Sequence, residues 1–276
     1  MSKKILSNAA GAAAIAFMLL CTVFPFVYAV CKSLGGWREL LFWSPGFTRA
    51  YFNTFLSAAA VTVLNIVIAV PSAYFFRVCK AKFKNIIYAL YIVLLLLPYQ
   101  ATMLPEYMLA QRMGTYDTLW SVIIPSAFAP LSVIILAQMF RAVPEEVLEA
   151  YRLESSSLFG EIVYMAIPNA GNGIVCCAVL TFAGAWNMLE RPMNLINKEG
   201  YMLMQQYIST MKAPEMFAAT AVSALPLLLL FIRFLAPSMR QLSHYPASVQ
   251  CQFGVVPLVG YLFDYITHVY TSLLSE

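Results

Sequence analysis

The residues best placed to do chemistry form one short polar run, Pro144-Glu145-Glu146-Val147-Leu148-Glu149-Ala150-Tyr151-Arg152-Leu153-Glu154-Ser155-Ser156-Ser157, between two long apolar segments. No histidine lies near its carboxylates, so the chemistry it offers is recognition: charge-assisted hydrogen bonds to a basic partner. Loops that merely reverse the chain are usually short and irregular, whereas this one carries helix-start signals. Pro144 suits a first turn, and Glu145 and Glu146 complement the positive end of a helix dipole. The three serines supply a stop and a cap for the next helix. On a helix, Glu145, Glu149, Arg152 and Ser156 share one face. Val147, Ala150, Tyr151 and Glu154 occupy the rest, with an apolar side that a partner could receive. Periodicity alone leaves two readings open: a docking helix for a soluble protein, or an amphipathic turn lying at the lipid headgroups.

The elements that must position this run are set by composition. Hydrophobic residues make up 61% of the 276 positions and charged residues only 11%, with a mean hydropathy of +0.75. A soluble domain carries roughly a quarter of its residues as charges. Too few charges remain to cover a water-exposed surface, so the predicted fold class is all-α, a polytopic membrane helix bundle of about six transmembrane helices. The spans are expected at roughly 8–31, 51–76, 85–109, 118–140, 162–187 and 215–237. The run from Ala9 to Val30 exceeds the ~7–15 residues of a cleavable signal core and is taken as a retained first span. Pro25, Pro71, Pro98, Pro105, Pro125, Pro130, Pro168 and Pro226 lie within spans and bend them. Gly171 and Gly173 in the fifth span invite the close approach of another helix.

Orientation follows from the short loops. Lys3 and Lys4, then Arg77, Lys80, Lys82 and Lys84, then Arg233 and Arg240 fall on one side if the spans alternate. That side is cytoplasmic by the positive-inside rule, which places the N-terminus there and makes this a multi-pass protein of the cell membrane. The polar run shares that side, yet it is richer in acids than bases. Its carboxylates therefore have another task.

Several classes of chemistry have no residues to support them. No Gly-x-x-x-x-Gly-Lys-Ser/Thr phosphate cradle is present, so this chain is not itself an ATPase. The two histidines, His244 and His268, lie in the C-terminal tail, and the six cysteines show no ligand or disulfide spacing. No catalytic residue, metal site or bound cofactor is expected, and the small net charge of +4 gives no reason to expect nucleic acid as a partner. Asn53, Asn65, Gln100, Gln138, Asn169 and Asn172 are the notable polar residues near or within spans. They serve either as interhelical hydrogen bonds or, for Asn53, Asn65, Gln100, Asn169 and Asn172, as the wall of a path for a hydroxylated solute. Glu190-Arg191 reads as a local surface ion pair or as a contact for an external protein. Glu106 and Asp117 read as solvated residues of the outer side.

The run Glu149-Ala150-Tyr151-Arg152-Leu153-Glu154-Ser155-Ser156-Ser157, followed ten residues later by Ile167-Pro168, resembles the EAA loop of ATP-binding-cassette importer permeases. Glu149 and Ala150 match that pattern; Tyr151 replaces its second alanine, Glu154 stands where aspartate is common, and Ser155 replaces its glycine. Ser72-Ala73-Tyr74-Phe75-Phe76-Arg77, Leu97-Pro98-Tyr99-Gln100 with Met103-Leu104-Pro105, and Gly184-Ala185-Trp186-Asn187 with Pro192 are similar to segments of the maltose-type carbohydrate permease group, in particular its shorter six-span subunit. The resemblance covers about residues 8–235. It implies a permease domain over 1–237, a cytoplasmic coupling loop at about 142–161, and an atypical tail over 238–276.

The resemblance further implies a second permease subunit, two cytoplasmic ATPase subunits that hydrolyse the ATP, and an extracytoplasmic solute-binding protein, all working across membrane lipid. The ATPase-coupling residues it implies are Glu145, Glu149, Ala150, Arg152, Glu154, Ser155 and Pro168. An ion-coupled secondary carrier and a non-transporting membrane assembly protein are the alternatives from other classes.

Overall fold

In a computed structural model the described residues are 24, 27, 28, 31, 44–79, 83–154, 157–212, 215–230, 232 and 233. Most of the first span, Ser155, Ser156 and the tail over 238–276 lie outside them. Helix α1 (Pro45–Val78) is followed by α2 (Lys84–Leu96), α3 (Tyr99–Arg112), α4 (Leu119–Ala127) and α5 (Pro130–Ala142). Then come α6 (Glu145–Glu154), α7 (Leu158–Glu161), a π-helical turn (Ile162–Ala166), α8 (Ile167–Asn169) and α9 (Gly171–Trp186). The chain continues through α10 (Glu190–Leu195), a 3-10 turn (Glu199–Tyr201), α11 (Met204–Ile208) and α12 (Glu215–Leu230).

Two stretches, Pro45–Val78 and Leu119–Ala142, are long and apolar enough to cross a bilayer, the second with a short interruption at Phe128 and Ala129 between α4 and α5. Two further helix pairs are long and apolar enough only when taken together, and both are sharply bent: α2 with α3 by 98°, and Leu158–Asn169 with α9 by 82°. The bend expected from proline in the third span, 85–109, is a sharp break at Pro98 that divides it into α2 and α3. Pro98 is extended, at φ −68 and ψ 147, because proline has no N–H to continue the ladder and pushes its predecessor out of helical geometry. Pro71, Pro105, Pro125 and Pro226, by contrast, stay inside helices.

The chain forms two compact units. The first comprises Met1–Ile68, Val93–Ala129 and Leu180–Leu229. Its core surrounds Trp186, which is fully buried and packs with Phe47, Ala58, Ile123, Met204 and Ala219. The indole Nε1 donates to the Ser223 carbonyl at 3.0 Å, and the ring meets Tyr51 edge-on and Phe182 face-on. Some polar atoms inside this apolar packing find partners, which offsets the cost of burying them, while Ser57 Oγ and Gln206 Oε1 are buried without one among the described residues. Thr54 Oγ1 donates to the Ala50 carbonyl and accepts from the Met204 amide.

The second unit comprises Ala69–Ile92, Pro130–Val179 and Leu230–Glu276. Ala73, Tyr74, Phe76, Leu136, Met139, Phe140, Leu148 and Cys177 are among its buried residues. Phe76 sits edge-on to both Tyr88 and Tyr91, and Gln138 Nε2 donates to the Tyr88 hydroxyl at 2.9 Å. The two glycines in the first turn of α9 differ. A Cβ on Gly173 would stand 2.7 Å from Met139 Cγ, whereas one on Gly171 would meet nothing within 4 Å. Only Gly173 therefore permits a close approach. Replacing Gly173 by alanine is expected to cost about 1–3 kcal/mol by overpacking, while Gly171→Ala is neutral or mildly stabilising. Thermal unfolding of the detergent-purified variants checks this; equal melting temperatures contradict it.

Candidate functional site

The polar run folds as α6, with Glu145 and Glu146 in its first turn and Arg152 in its last, the charge order that suits the helix dipole. Leu148 is 3% exposed, and Val147 and Tyr151 are half-buried. The apolar side expected to receive a partner is instead turned into the second unit's own core, which is a correction. An aliphatic side chain left outside would forgo burial worth about 1.5–3 kcal/mol. Glu145, Glu146, Glu149 and Ala150 face outward, and the apolar surface on offer is Leu153, 90% exposed, with Leu158 and Phe159 just beyond. Ser157 Oγ caps α7 by accepting from the Gly160 amide at 3.2 Å. Ser155 lies outside the described residues, as does the side chain of Glu154.

Arg152 does not share the outward role of Glu149. Its Nη2 and Nε donate to the two carboxylate oxygens of Glu161, at 2.8 and 3.2 Å. The Glu161 side chain is 3% exposed against 42% for Arg152. The hydroxyl of Tyr74, near the end of α1, donates to the same carboxylate. The Tyr74 ring stands edge-on to Phe140 with centroids 5.6 Å apart. Three residues on, Arg77 Nη2 donates to the Val143 carbonyl at 3.1 Å. The end of α1 is thus bonded to the chain on both sides of α6. The hydrogen bonds to Glu161 raise the pKa of the Arg152 guanidinium, with partial burial opposing, so the cation persists at any ordinary pH.

Tyr151, which replaces an alanine of the resembled pattern, is matched by Gly160. A Cβ there would collide with the Tyr151 hydroxyl. Pro168 lies in α8, directly after the π-helical turn in which the Ile167 N–H reaches back to the Ile162 carbonyl. A wider turn suits a position whose successor cannot donate a hydrogen bond. Pro168 sits between the docking run and the bend into α9. Glu161, Tyr74 and Arg77 were not singled out as coupling residues by sequence reasoning. The available signal was a lone acid, Glu161, opening an apolar segment nine residues after an arginine.

The five residues considered for a solute path divide between the units. Asn53 Nδ2 donates to the Gly200 and Met202 carbonyls. Asn65, 1% exposed, donates to the Ala127 carbonyl and accepts from Thr181. Gln100, exposed, reaches Glu190 at 3.4 Å. In the second unit, Asn169 is exposed and bonds the Met165 carbonyl, and Asn172 is half-buried in α9. Asn53 and Asn65 thus fasten helices to neighbouring backbone.

Arg191 pairs with Glu106 rather than with adjacent Glu190. Its Nε and Nη2 bind the Glu106 oxygens at 2.9 and 3.0 Å, Nη1 donates to Ser126 Oγ at 3.1 Å, and the guanidinium lies 5.2 Å from the Tyr99 ring centroid. Glu106 is therefore not simply solvated: the pair joins α3, α4 and α10. Asp117, at φ 63, accepts from the Asn197 and Lys198 amides, and aspartate tolerates that left-handed backbone better than most residues. Arg191→Lys keeps the charge but cannot reproduce a forked bond plus a third donor. It is expected to lower stability by about 1–3 kcal/mol, read as the melting temperature of the purified protein; an unchanged value contradicts this reading.

Among the described residues no three His, Cys, Asp or Glu side chains converge as metal ligands would. The fold is shared with a solved chain from a bacterial ATP-binding-cassette transporter involved in the import of the acidic polysaccharide alginate. The TM-score is 0.72 at 16% identity, covering 82% of this chain and 94% of that one. The arabinooligosaccharides transport system permease protein AraQ of Halalkalibacterium halodurans is 22% identical over 66% of this chain and 67% of its own length. The sn-glycerol-3-phosphate transport system permease protein UgpE of Rhizobium meliloti is 26% identical over 54% of this chain and 53% of its own. The chain spans about two thirds, or less, of the length of these curated relatives. Residues 45–241, most of the chain, match one family pattern throughout, and the chain belongs to the family of binding-protein-dependent transport system inner membrane components.

Proposed function

We propose that this chain is a membrane-spanning permease subunit of an ATP-driven importer, translocating a carbohydrate handed over by an extracytoplasmic binding protein. The observation that carries the reading is α6: a helix whose inner face is packed on its own protein while Glu145, Glu149 and Leu153 stand outward. It sits within a family defined by binding-protein-dependent transport. A carbohydrate is favoured by the relatives' printed substrates, an arabinooligosaccharide and a glycerol phosphate, both polyhydroxylated. The fold neighbour serves an acidic polysaccharide. On this reading the N-terminus is cytoplasmic, ATP is hydrolysed by two partner subunits, and a second permease subunit completes the path.

Within that assembly Glu149 contributes a charge-assisted hydrogen bond to an ATPase subunit, and Leu153, Leu158 and Phe159 supply its apolar contact. Ala150 keeps the outer surface of α6 shallow beside Glu149. Glu154 is the last residue of the docking helix, and Pro168 marks where the loop passes into the bent helix behind it. Gln100, Asn169 and Asn172 remain the candidates for meeting solute hydroxyls, since Asn53 and Asn65 already spend their amides on interhelical bonds.

Co-purification of the chain with its ATPase subunit tests the proposal. Glu149→Lys removes a bond worth about 1.5–3 kcal/mol and adds repulsion, so association is expected to weaken roughly tenfold or more. The variant remains inserted and folded, because Glu149 is exposed. Association equal to wild type removes Glu149 from the interface. Absence of association for the wild type overturns the ATP-driven reading in favour of a carrier or assembly protein.

A further inference from the structure

The carboxylate of Glu161 holds two separate elements of the second unit at once. Arg152 reaches it from α6 with a forked pair of hydrogen bonds at 2.8 and 3.2 Å. Tyr74 reaches it from α1 through its hydroxyl. The Glu161 side chain is 3% exposed, so water does not compete for these bonds and no rotamer exchanges them cheaply. Phe140 holds the Tyr74 ring edge-on, and Tyr74 itself is 4% exposed. A second tie joins α1 to the other end of the docking run, where Arg77 Nη2 donates to the Val143 carbonyl at 3.1 Å. On the C-terminal side of Glu161 the backbone changes character, first to the π-helical turn Ile162–Ala166, then to Pro168 and the 82° bend before α9. Glu161 therefore stands where a rigidly tied body ends and an irregular helix begins.

A helix pushed by a soluble partner moves a membrane helix only if something stiff connects the two. The α6 surface contributes Leu148 to the core, but apolar packing alone is non-directional and permits sliding. A forked guanidinium–carboxylate pair fixes both distance and angle. Its loss would leave a carboxylate buried without its cation, so the arrangement is kept or abandoned as a whole.

Resting on the importer reading above, we infer that Glu161 is the positioning residue of the coupling step: with Arg152 and Tyr74 it makes the docking helix α6 and the inner end of α1 move as one body. Arg152 acts through Glu161 and not by touching the ATPase. Any irregular motion is taken up after Glu161, in the π-helical turn and at the bend before α9.

The test uses the full chain assembled with its second permease subunit and ATPase subunits in lipid nanodiscs. Spin labels replace Glu146 on α6 and Phe75 on α1, both exposed positions. The inter-label distance is measured without nucleotide and after trapping with MgATP and vanadate. The wild-type background is expected to give one narrow distance in both states, while a separate label pair between Glu146 and the ATPase reports that the nucleotide acts. Glu161→Gln keeps the shape of the side chain, loses the charge and is expected to lose the single distance on trapping, with ATPase association retained. Tyr74→Phe keeps the packing on Phe140, removes only the hydroxyl and is expected to give the same loss in weaker form. It serves as the informative variant if Glu161→Gln does not fold. A narrow, unchanged distance in a folded, nucleotide-responsive Glu161→Gln assembly overturns the inference, as does the same result in Tyr74→Phe where only that variant folds. A wild-type assembly that shows no response to nucleotide overturns the importer reading instead.

Discussion

A carboxylate that is 3% exposed has to be neutralised from within the protein, and at Glu161 the neutralising groups come from two other elements. This requirement organises the second unit. Arg152 must turn inward, which takes it off the outer face of α6. Tyr74 must sit one turn before the end of α1 with its ring against Phe140. An exposed ion pair would be worth only about 0–1 kcal/mol and would organise nothing. The difference here is that one partner is shielded, so separation exposes no water to the carboxylate and leaves a buried charge behind.

The consequence for function is a division of labour within one short run. Residues that look alike in the sequence as charged helix formers separate into an outward set, Glu145, Glu146 and Glu149, and Arg152, which stays 42% exposed while its guanidinium bonds inward to Glu161. On the proposed reading, the outward set meets a soluble partner and the inward one fixes the helix so that the meeting has a mechanical effect. The first unit shows the same economy at Arg191, whose three polar bonds and ring contact join three helices through one side chain.

Much of this was legible from residue types. The two stretches long enough to cross a bilayer follow from long apolar runs, and α6 follows from its proline, its leading acids and the serines behind it. Ser157 does cap the next helix. The bends were harder to read, because Pro71, Pro105, Pro125 and Pro226 stay within helices while Pro98 and the Pro168 region accompany sharp turns. Proline type alone does not separate these cases, since neighbouring helices decide whether a freed carbonyl is covered. The face of α6 was also misjudged: spacing gives which residues share a side, but only packing tells which side Leu148 takes inward. Arg152, grouped with Glu149 by helical spacing, is claimed by a residue nine positions on, and Glu106 by one eighty-five positions on. Such long-range pairs leave no periodic trace.

The central claim, that the run around α6 is the surface on which an ATPase docks, is tested most directly by hydrogen–deuterium exchange of the assembled membrane complex with and without its ATPase subunits. The account predicts that amides over 145–159 exchange more slowly when the ATPase subunits are bound, with the segments around Asp117 and Asn197 unchanged. Unaltered exchange over 145–159 in a complex that demonstrably contains the ATPase would contradict it.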